Sequence, residues 1–490
     1  LTTTSDKALT TSGSQFYING TWVNPAEGGN LHRTVDANTG ELLGATTLGT
    51  AIDIDSAVRS ARAALDGPWG HTTPAERADV MLRFAACLRA HADDTARLVS
   101  RENGMPITIS TVANGIVPSA LLELYADLVT KAALEEVRPS QMGATIVRRE
   151  PVGVVGAITA WNFPQMLAMI KIAPAMAAGC TIVLKPSPET SLDAGAIGEA
   201  ATEAGVPPGV LNIVLGGRET GAALVSHPDV DKIAFTGSTE AGRKIGAECG
   251  RLIRRSTLEL GGKSASLFLD DGDLDLFLSQ VGATSFLNNG QTCSIQTRIL
   301  VARTRYDEVV DALVEYTRRL AVGHSLDTNT QIGPMATERQ LERVLGYVDL
   351  ARSSSARLVC GGGRPRGLDR GWFVEPTIFA DVDNGDRLAQ EEVFGPVLAV
   401  IPFDSDDQAV AIANDSVYGL GGSVFTTDEE RGIGIARRIR TGTIGINYYE
   451  LDPGSPFGGM KNSGIGRELG PEALGSYLEY KSIYTSADQL

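Results

Sequence analysis

Apolar and polar residues follow several rhythms along this chain. Residues 15–50 show short apolar runs cut by turn residues, such as Phe16-Tyr17-Ile18-Asn19-Gly20 and the turn Asn38-Thr39-Gly40. From Asp55 the spacing predicts helices over 55–66, 75–101 and 107–133, with Asp55, Thr73 and Ser110 as start signals. Residues 137–141 and 145–149 are short, charged and strand-like, and read as an exposed hairpin turning at Gln141-Met142-Gly143. An exposed edge needs cover or charge, so a subunit contact is expected there. Between 151 and 260 strand and helix alternate. Strands are predicted at 154–158, 181–184, 211–214, 232–235 and 257–260, and helices near 165–178, 191–203, 219–226 and 240–249. Apolar strands at this rhythm indicate a parallel sheet covered on both faces. Ligands of such sheets sit at the carboxyl ends of the strands, which points to the loops 161–164, 185–188 and 236–242.

A second α/β rhythm runs from 262 to 465. It predicts strands near 265–268, 297–302, 356–360, 397–401, 420–425 and 443–446, and helices at 304–320, 336–352 and 427–439. An apolar helical run, 274–287, feeds the small-polar loop Asn288-Asn289-Gly290-Gln291-Thr292-Cys293-Ser294. The end, 475–484, alternates like a strand and is expected to pair with the 137–149 hairpin of this subunit or another.

Composition narrows the classes. A chain of 490 residues suggests about three domains. Its net charge of −16 argues against nucleic acid and anionic membranes, both of which need a basic face. Five widely spaced cysteines without a C-x-x-C argue against a disulfide framework or a zinc site, and for a reducing, cytoplasmic location. The histidines form no metal motif. Residues 1–14 are polar and do not read as a signal peptide, although a chain that begins at Leu1 leaves an earlier segment open. No apolar run reaches the ~18 residues of a membrane span.

Single residues say little. Cys293, at a helix-to-loop-to-strand corner, is a nucleophile or a half-buried thiol. The stretch from Gly237 to Lys244 resembles a phosphate loop, but Gly242 is followed by Arg243, so it is no Walker motif. Gly237-Ser238-Thr239 is an anion site at a helix start or a plain capped turn. Lys185 reaches a ligand or solvent. Glu259, between Leu258 and Leu260, is a desolvated base or a carboxylate that escapes past Gly261 and Gly262. Glu392, near Phe394 at a tight turn, has the same two readings.

Together they are specific. EPVGVVGAITAWNFP at 150–164, AAGCTIVLKPS at 177–187, FTGSTEAG at 235–242, LELGGKS at 258–264, NNGQTC at 288–293, EEVFGPV at 391–397 and PFGGMKNSGIGRELG at 456–470 resemble the aldehyde dehydrogenase superfamily. The resemblance spans residues 15–485 and implies an α/β fold. A Rossmann-type dinucleotide-binding domain would take 1–133 and 148–258, a catalytic α/β domain 259–465, and a small β oligomerisation element 134–147 and 466–490. It implies Cys293 as nucleophile, Asn162 and the Cys293 N–H as oxyanion donors, and Glu259 as the base that hydrolyses a thioester. Members that pass the acyl group to coenzyme A lack this glutamate, so a free acid is the implied product. Lys171 and Glu468 match a proton route. Ile158, Trp161, Lys185, Ser187, Gly237, Ser238, Leu260, Glu392 and Phe394 match cofactor contacts. The cofactor is expected to be NAD. Pro188 stands where NAD-preferring members often carry a glutamate, which keeps NADP open.

Phe163, Leu167, Ile170, Leu287, Ile295 and Tyr449 are implied as the substrate mouth. Most are apolar, which favours an apolar or aromatic aldehyde. Glu450 and Asp452 favour a cationic one, so a betaine-type aldehyde or a semialdehyde is the alternative. A cofactor-independent cysteine esterase and a non-catalytic binding protein are the rival classes. A homodimer or homotetramer is implied by resemblance alone. The glycine and small residues flanking Cys293 are expected to leave the thiol open on two sides.

Overall fold

The computed structural model describes residues 15–141 and 143–486. The reading of 1–14 and the Met142 of the hairpin turn lie outside the described residues.

The alternation between 151 and 260 builds an eight-stranded sheet. Its order is Gly464–Ile465, Arg255–Glu259, Lys232–Thr236, Val154–Ile158, Thr181–Lys185, Leu211–Ile213, Phe16–Ile18 and Thr21–Val23. The five strands between 154 and 259 are mutually parallel, and all but the outermost, Arg255–Glu259, are wholly buried. One apolar cluster packs the helices on both faces of this sheet. The second rhythm builds a seven-stranded sheet, ordered Arg357–Cys360, Thr377–Ala380, Val397–Phe403, Gln296–Ala302, Ser264–Phe268, Gly422–Phe425 and Gly445–Ile446. Separate clusters cover its two faces. A three-stranded sheet joins Leu478–Thr485, Gly143–Pro151 and Glu135–Ser140 by antiparallel pairing within one chain.

Several local expectations change. The helix expected at 75–101 breaks at His91 into Pro74–Ala90 and Ala92–Asn103. Thr73 caps the first of these through a capping box with Glu76, as its sequence position suggests. The preceding helix starts earlier than expected, at Ala51, because Thr50 and Asp53 form a capping box there; Asp55 instead pairs with Arg59. Ser110 starts nothing. It is buried, and its hydroxyl donates to the Ala96 carbonyl. The helical run Ile107–Lys131 contains a π-helical turn at Thr111–Ile116. By length and composition this run is apolar enough to cross a membrane, but half of its apolar window is buried in the protein. The alternating end begins as a helix, Gly470–Ser476, before the strand Leu478–Thr485. Strand Thr377–Ala380 and helix Asp406–Asn414 were not expected.

Candidate active site

The loops after strands Val154–Ile158 and Arg255–Glu259 meet the 288–294 turn. Asn162 follows strand Val154–Ile158, and Asn103 and Asn288 hold its backbone. The Asn103 amide donates to the Trp161 and Asn162 carbonyls at 3.1 and 3.2 Å, and the Asn288 amide to the Asn162 carbonyl at 2.9 Å. The Asn162 Nδ2 donates to the Gln291 carbonyl at 3.0 Å. Only one of that nitrogen's two N–H groups is used by this bond.

The turn itself is left-handed for three residues, with φ of 50° at Asn288, 60° at Asn289 and 78° at Gly290. Asparagine and glycine tolerate this region. A Cβ on Gly290 would lie 2.1 Å from the Gly395 carbonyl carbon, so the glycine lets two turns touch. This differs from the expectation that it opens space around the thiol. Asn289 nails the turn down. Its amide donates to the Gly104 and Pro334 carbonyls, both at 2.9 Å, and its oxygen accepts the Gly333 N–H at 2.6 Å.

Cys293 is half-buried at the end of this turn. Burial, then the negative charges of Glu259 and Glu392, push its thiol well above the ordinary range. The thiol therefore needs a base before it attacks anything. Glu259 ends strand Arg255–Glu259 and is 3% exposed. Neither of its carboxylate oxygens has a well-formed hydrogen bond, and the Gly459 N–H contributes only weakly. Burial, then Glu468, raise its pKa well above the carboxylate range, while Lys171 and Arg467 pull the other way. Behind it, Lys171 Nζ donates to Glu468 and to the Thr236 hydroxyl, both at 2.6 Å, in a fully buried pair. A buried carboxylate kept unpaired beside a thiol has the makings of a general base.

A second group lines the carboxyl ends of the parallel strands. Lys185 Nζ donates to the Pro186 and Gly216 carbonyls, both at 2.7 Å, and burial pulls its pKa down to about 8. Ser187 turns away and donates to Glu189 at 2.5 Å, and Arg339 pairs with that carboxylate at 3.0 Å. Gly237 closes the strand, and the exposed Ser238 caps the helix Thr239–Arg251. Ile158 and Leu260 are buried, with Leu260 against Gly242. Glu392 accepts the Gly262 N–H at 2.8 Å, and burial raises its pKa to about 7. Phe394, at φ 64°, meets the Trp161 ring edge-on at 5.4 Å.

Phe163, Leu167 and Ile170 are buried in the apolar cluster that packs the eight-stranded sheet, with Leu287, Leu451 and Phe457 half-buried against it. Ile295 is buried but lies outside that cluster. The Tyr449 hydroxyl shares a hydrogen bond with Thr443 at 2.8 Å, with the Ser294 side chain also against it. Sequence reading passed over Asn103, Thr236 and Thr443. In the sequence Asn103-Gly104-Met105-Pro106 reads as punctuation between two helices, which does not disclose the contacts of Asn103.

Comparisons with known proteins agree with one another. Residues 22–483 match the model of the aldehyde dehydrogenase family. The geranial dehydrogenase of Castellaniella defragrans is 50% identical over 478 residues, covering 97% of this chain and 99% of that protein. An aldehyde dehydrogenase of Mycobacterium tuberculosis, solved with NAD+, superposes with a TM-score of 0.93 at 49% identity over 96% of this chain and 97% of that one. A mutant of aldehyde dehydrogenase C of Pseudomonas syringae, complexed with NAD+ and octanal, gives a TM-score of 0.93 at 39% identity and covers 96% of each chain.

Proposed function

The chain belongs to the aldehyde dehydrogenase family, and on that premise we propose that it oxidises an apolar aldehyde to the free carboxylic acid, using NAD+ by preference. The observation that carries the hydrolytic outcome is Glu259, buried with both oxygens unpaired in the electrostatic field of the Cys293 thiol.

The residues supply the steps in order. Glu259 takes the thiol proton, and the Cys293 sulfur adds to the aldehyde carbon to form a thiohemiacetal. The remaining N–H of Asn162 and the Cys293 backbone N–H meet the oxyanion. NAD+, when bound, supplies the two-electron acceptor through which this adduct becomes a thioester. Glu259 gives up that proton, then deprotonates a water for attack on the thioester, and the Cys293 sulfur leaves and regains a proton as the free thiol. Lys171 and Glu468, hydrogen-bonded to each other behind it, offer the route by which protons leave Glu259.

The chain fits the dinucleotide. Lys185 has one N–H beyond its two carbonyls for a ribose hydroxyl, and Ser238 opens a helix whose first N–H groups suit a pyrophosphate. Glu392 is anchored through one oxygen and keeps the other for the second ribose. Glu189 acts electrostatically on Lys185 and is held by Ser187 and Arg339. That carboxylate supports NAD over NADP.

The apolar side chains of Phe163, Leu167, Ile170 and Leu287 support an apolar substrate, as do the relatives named for geranial and solved with octanal. Initial rates on geranial, octanal, succinic semialdehyde and betaine aldehyde, each with NAD+ and NADP+, test the reading. The first two aldehydes with NAD+ are expected to give the highest kcat/KM. Preference for either charged substrate would overturn it.

The same reading divides the chain into a cofactor unit, 1–133 with 148–258, a catalytic unit, 259–465, and an oligomerisation element, 134–147 with 466–490. The element leaves Val137, Tyr480 and Tyr484 exposed on its strands, which suits a homodimer or homotetramer. Sedimentation tests this, and a monomer at micromolar concentration would exclude it. Five free thiols suit a cytoplasmic location, which fractionation tests.

A further inference from the structure

We propose that the small pocket lined by Lys263, Arg298 and Thr441 binds a single monatomic anion of the chloride class. The pocket lies beside the start of strand Ser264–Phe268, and Tyr418, Gly419 and Ile439 close it. None of these residues takes part in the mechanism above.

The donor inventory carries the inference. Lys263 is 2% exposed, and its Nζ has no hydrogen-bond partner. The Thr441 hydroxyl, on the same pocket, has none either. Arg298 is 1% exposed and uses four of its five N–H donors, on the Lys263, Ile412 and Ala413 carbonyls and on Asn384 Oδ1, at 2.9–3.0 Å. Four carbonyls around the pocket are already engaged. Ala413 accepts from Arg298, Gly419 from the Gly442 and Met460 N–H groups, Leu420 from Thr443, and Ile439 from the Thr441 N–H. The pocket therefore offers unpartnered donors and two cationic side chains, with the Thr441 hydroxyl able to turn as donor or acceptor and no carboxylate to balance the charge.

A buried ammonium left without an acceptor is costly. A water can bridge Lys263 and Thr441 but leaves the charges of Lys263 and Arg298 uncompensated. An anion brings acceptor capacity and opposite charge. The space holds about one water-sized guest, which excludes acetate and phosphate. No carboxylate lines the pocket; Glu392 and Glu391 attract Lys263 from outside without a hydrogen bond. Burial, then Arg298, pull the lysine down to about 7, so a bound anion favours its protonated form. Anion affinity accordingly falls as pH rises above neutrality, with Arg298, Glu391 and Glu392 as the charged neighbours that set how steeply.

The test measures thermal unfolding of the full chain in sodium chloride, sodium bromide and sodium gluconate at equal ionic strength. Chloride and bromide are expected to raise Tm along a saturating curve, and gluconate, too large for the pocket, is not. Lys263→Met should abolish the halide response. Thr441→Val, a milder change that keeps the proposal testable if the first variant fails to fold, should shift the midpoint several-fold upward. Crystals grown in bromide should show anomalous density between Lys263 and Thr441. Equal Tm curves in halide and gluconate would overturn the proposal. So would a halide response unchanged in the folded variants. A bromide peak without any response in solution would mark binding at crystal concentration only, and would overturn it too.

Discussion

Helix Pro164–Ala178 serves two buried carboxylate sites that look alike in burial and differ in partners. At its start, Gln165 donates to Asp193 at 2.6 Å, and Asp193 neighbours Glu102. Two turns on, Lys171 donates to Glu468, which neighbours Glu259. Burial raises the pKa of Glu102, Asp193 and Glu259 alike. Yet Glu102 accepts the Leu192 and Asp193 N–H groups, at 2.8 and 3.2 Å, and so ties helix Ala92–Asn103 to the loop after 190. Glu259 has no well-formed hydrogen bond, only the weak Gly459 N–H contact. A buried carboxylate met by backbone donors holds loops together; one left unpaired near a nucleophile is kept for reaction.

The sharpest separation comes from the nucleophile. Cys293→Ala should remove turnover by roughly 10⁴-fold or more, since the residual site has no group to form the covalent adduct. Unfolding and NAD+ binding should be unchanged. Retained steady-state oxidation, measured by the absorbance of reduced nicotinamide, would break the assignment.

Glu259→Gln comes next. Loss of a general base costs about 10²- to 10⁴-fold. If the main burden falls on thioester hydrolysis, a burst of reduced nicotinamide close to one per subunit should precede a slow steady state. The wild-type steady-state rate should rise with pH, because the raised pKa keeps Glu259 protonated above the ordinary carboxylate range. The glutamine variant should lose that limb of the profile. Loss of the burst together with the steady state would move the base's role to thiol activation alone.

At the other site the sign falls on stability. Glu102→Gln leaves one backbone N–H facing an amide donor and should cost about 1–3 kcal/mol in chemical denaturation. The change in kcat per folded molecule should be small. The native protein holds protons here that the unfolded chain releases in the ordinary carboxylate range. Stability should therefore fall as pH rises through the raised pKa values of the pair, and the variant should flatten that slope. A large kcat loss without a stability change would erase the contrast between the two sites.

Much of this was legible in the chain. The parallel strands were, because fully buried strands read as unbroken apolar runs, and strand ends then located Asn162, Lys185 and Glu259. What failed were features decided by tertiary contact. The Thr50–Asp53 capping box outranked Asp55, and the break at His91 has no proline or glycine to announce it. Strand Thr377–Ala380 has four residues, too few for a period. Asn103 and Thr236 act through partners 59 and 65 residues away, which no local pattern carries. The difference between Glu102 and Glu259 was equally invisible, since both are glutamates whose surroundings only the fold supplies.

The smallest expected effect sits between structure and chemistry. Tyr449 places its hydroxyl against Thr443 and Ser294, the neighbour of the nucleophile. A Cβ on Gly421 would lie 2.7 Å from that hydroxyl and 3.1 Å from the Ser294 carbonyl, so the glycine makes the slot the phenol fills. Tyr449→Phe keeps the ring and removes the bond. Leaving Thr443 and Ser294 short of a partner should cost about 1 kcal/mol of stability. If Ser294 merely lines the substrate mouth, KM for octanal shifts and kcat holds. If the bond fixes the turn that carries Cys293, kcat for octanal falls several-fold at unchanged KM. The second outcome is expected, because Ser294 is covalently joined to Cys293 and its side chain is held by a half-buried ring. A change confined to KM would return Tyr449 to the substrate wall.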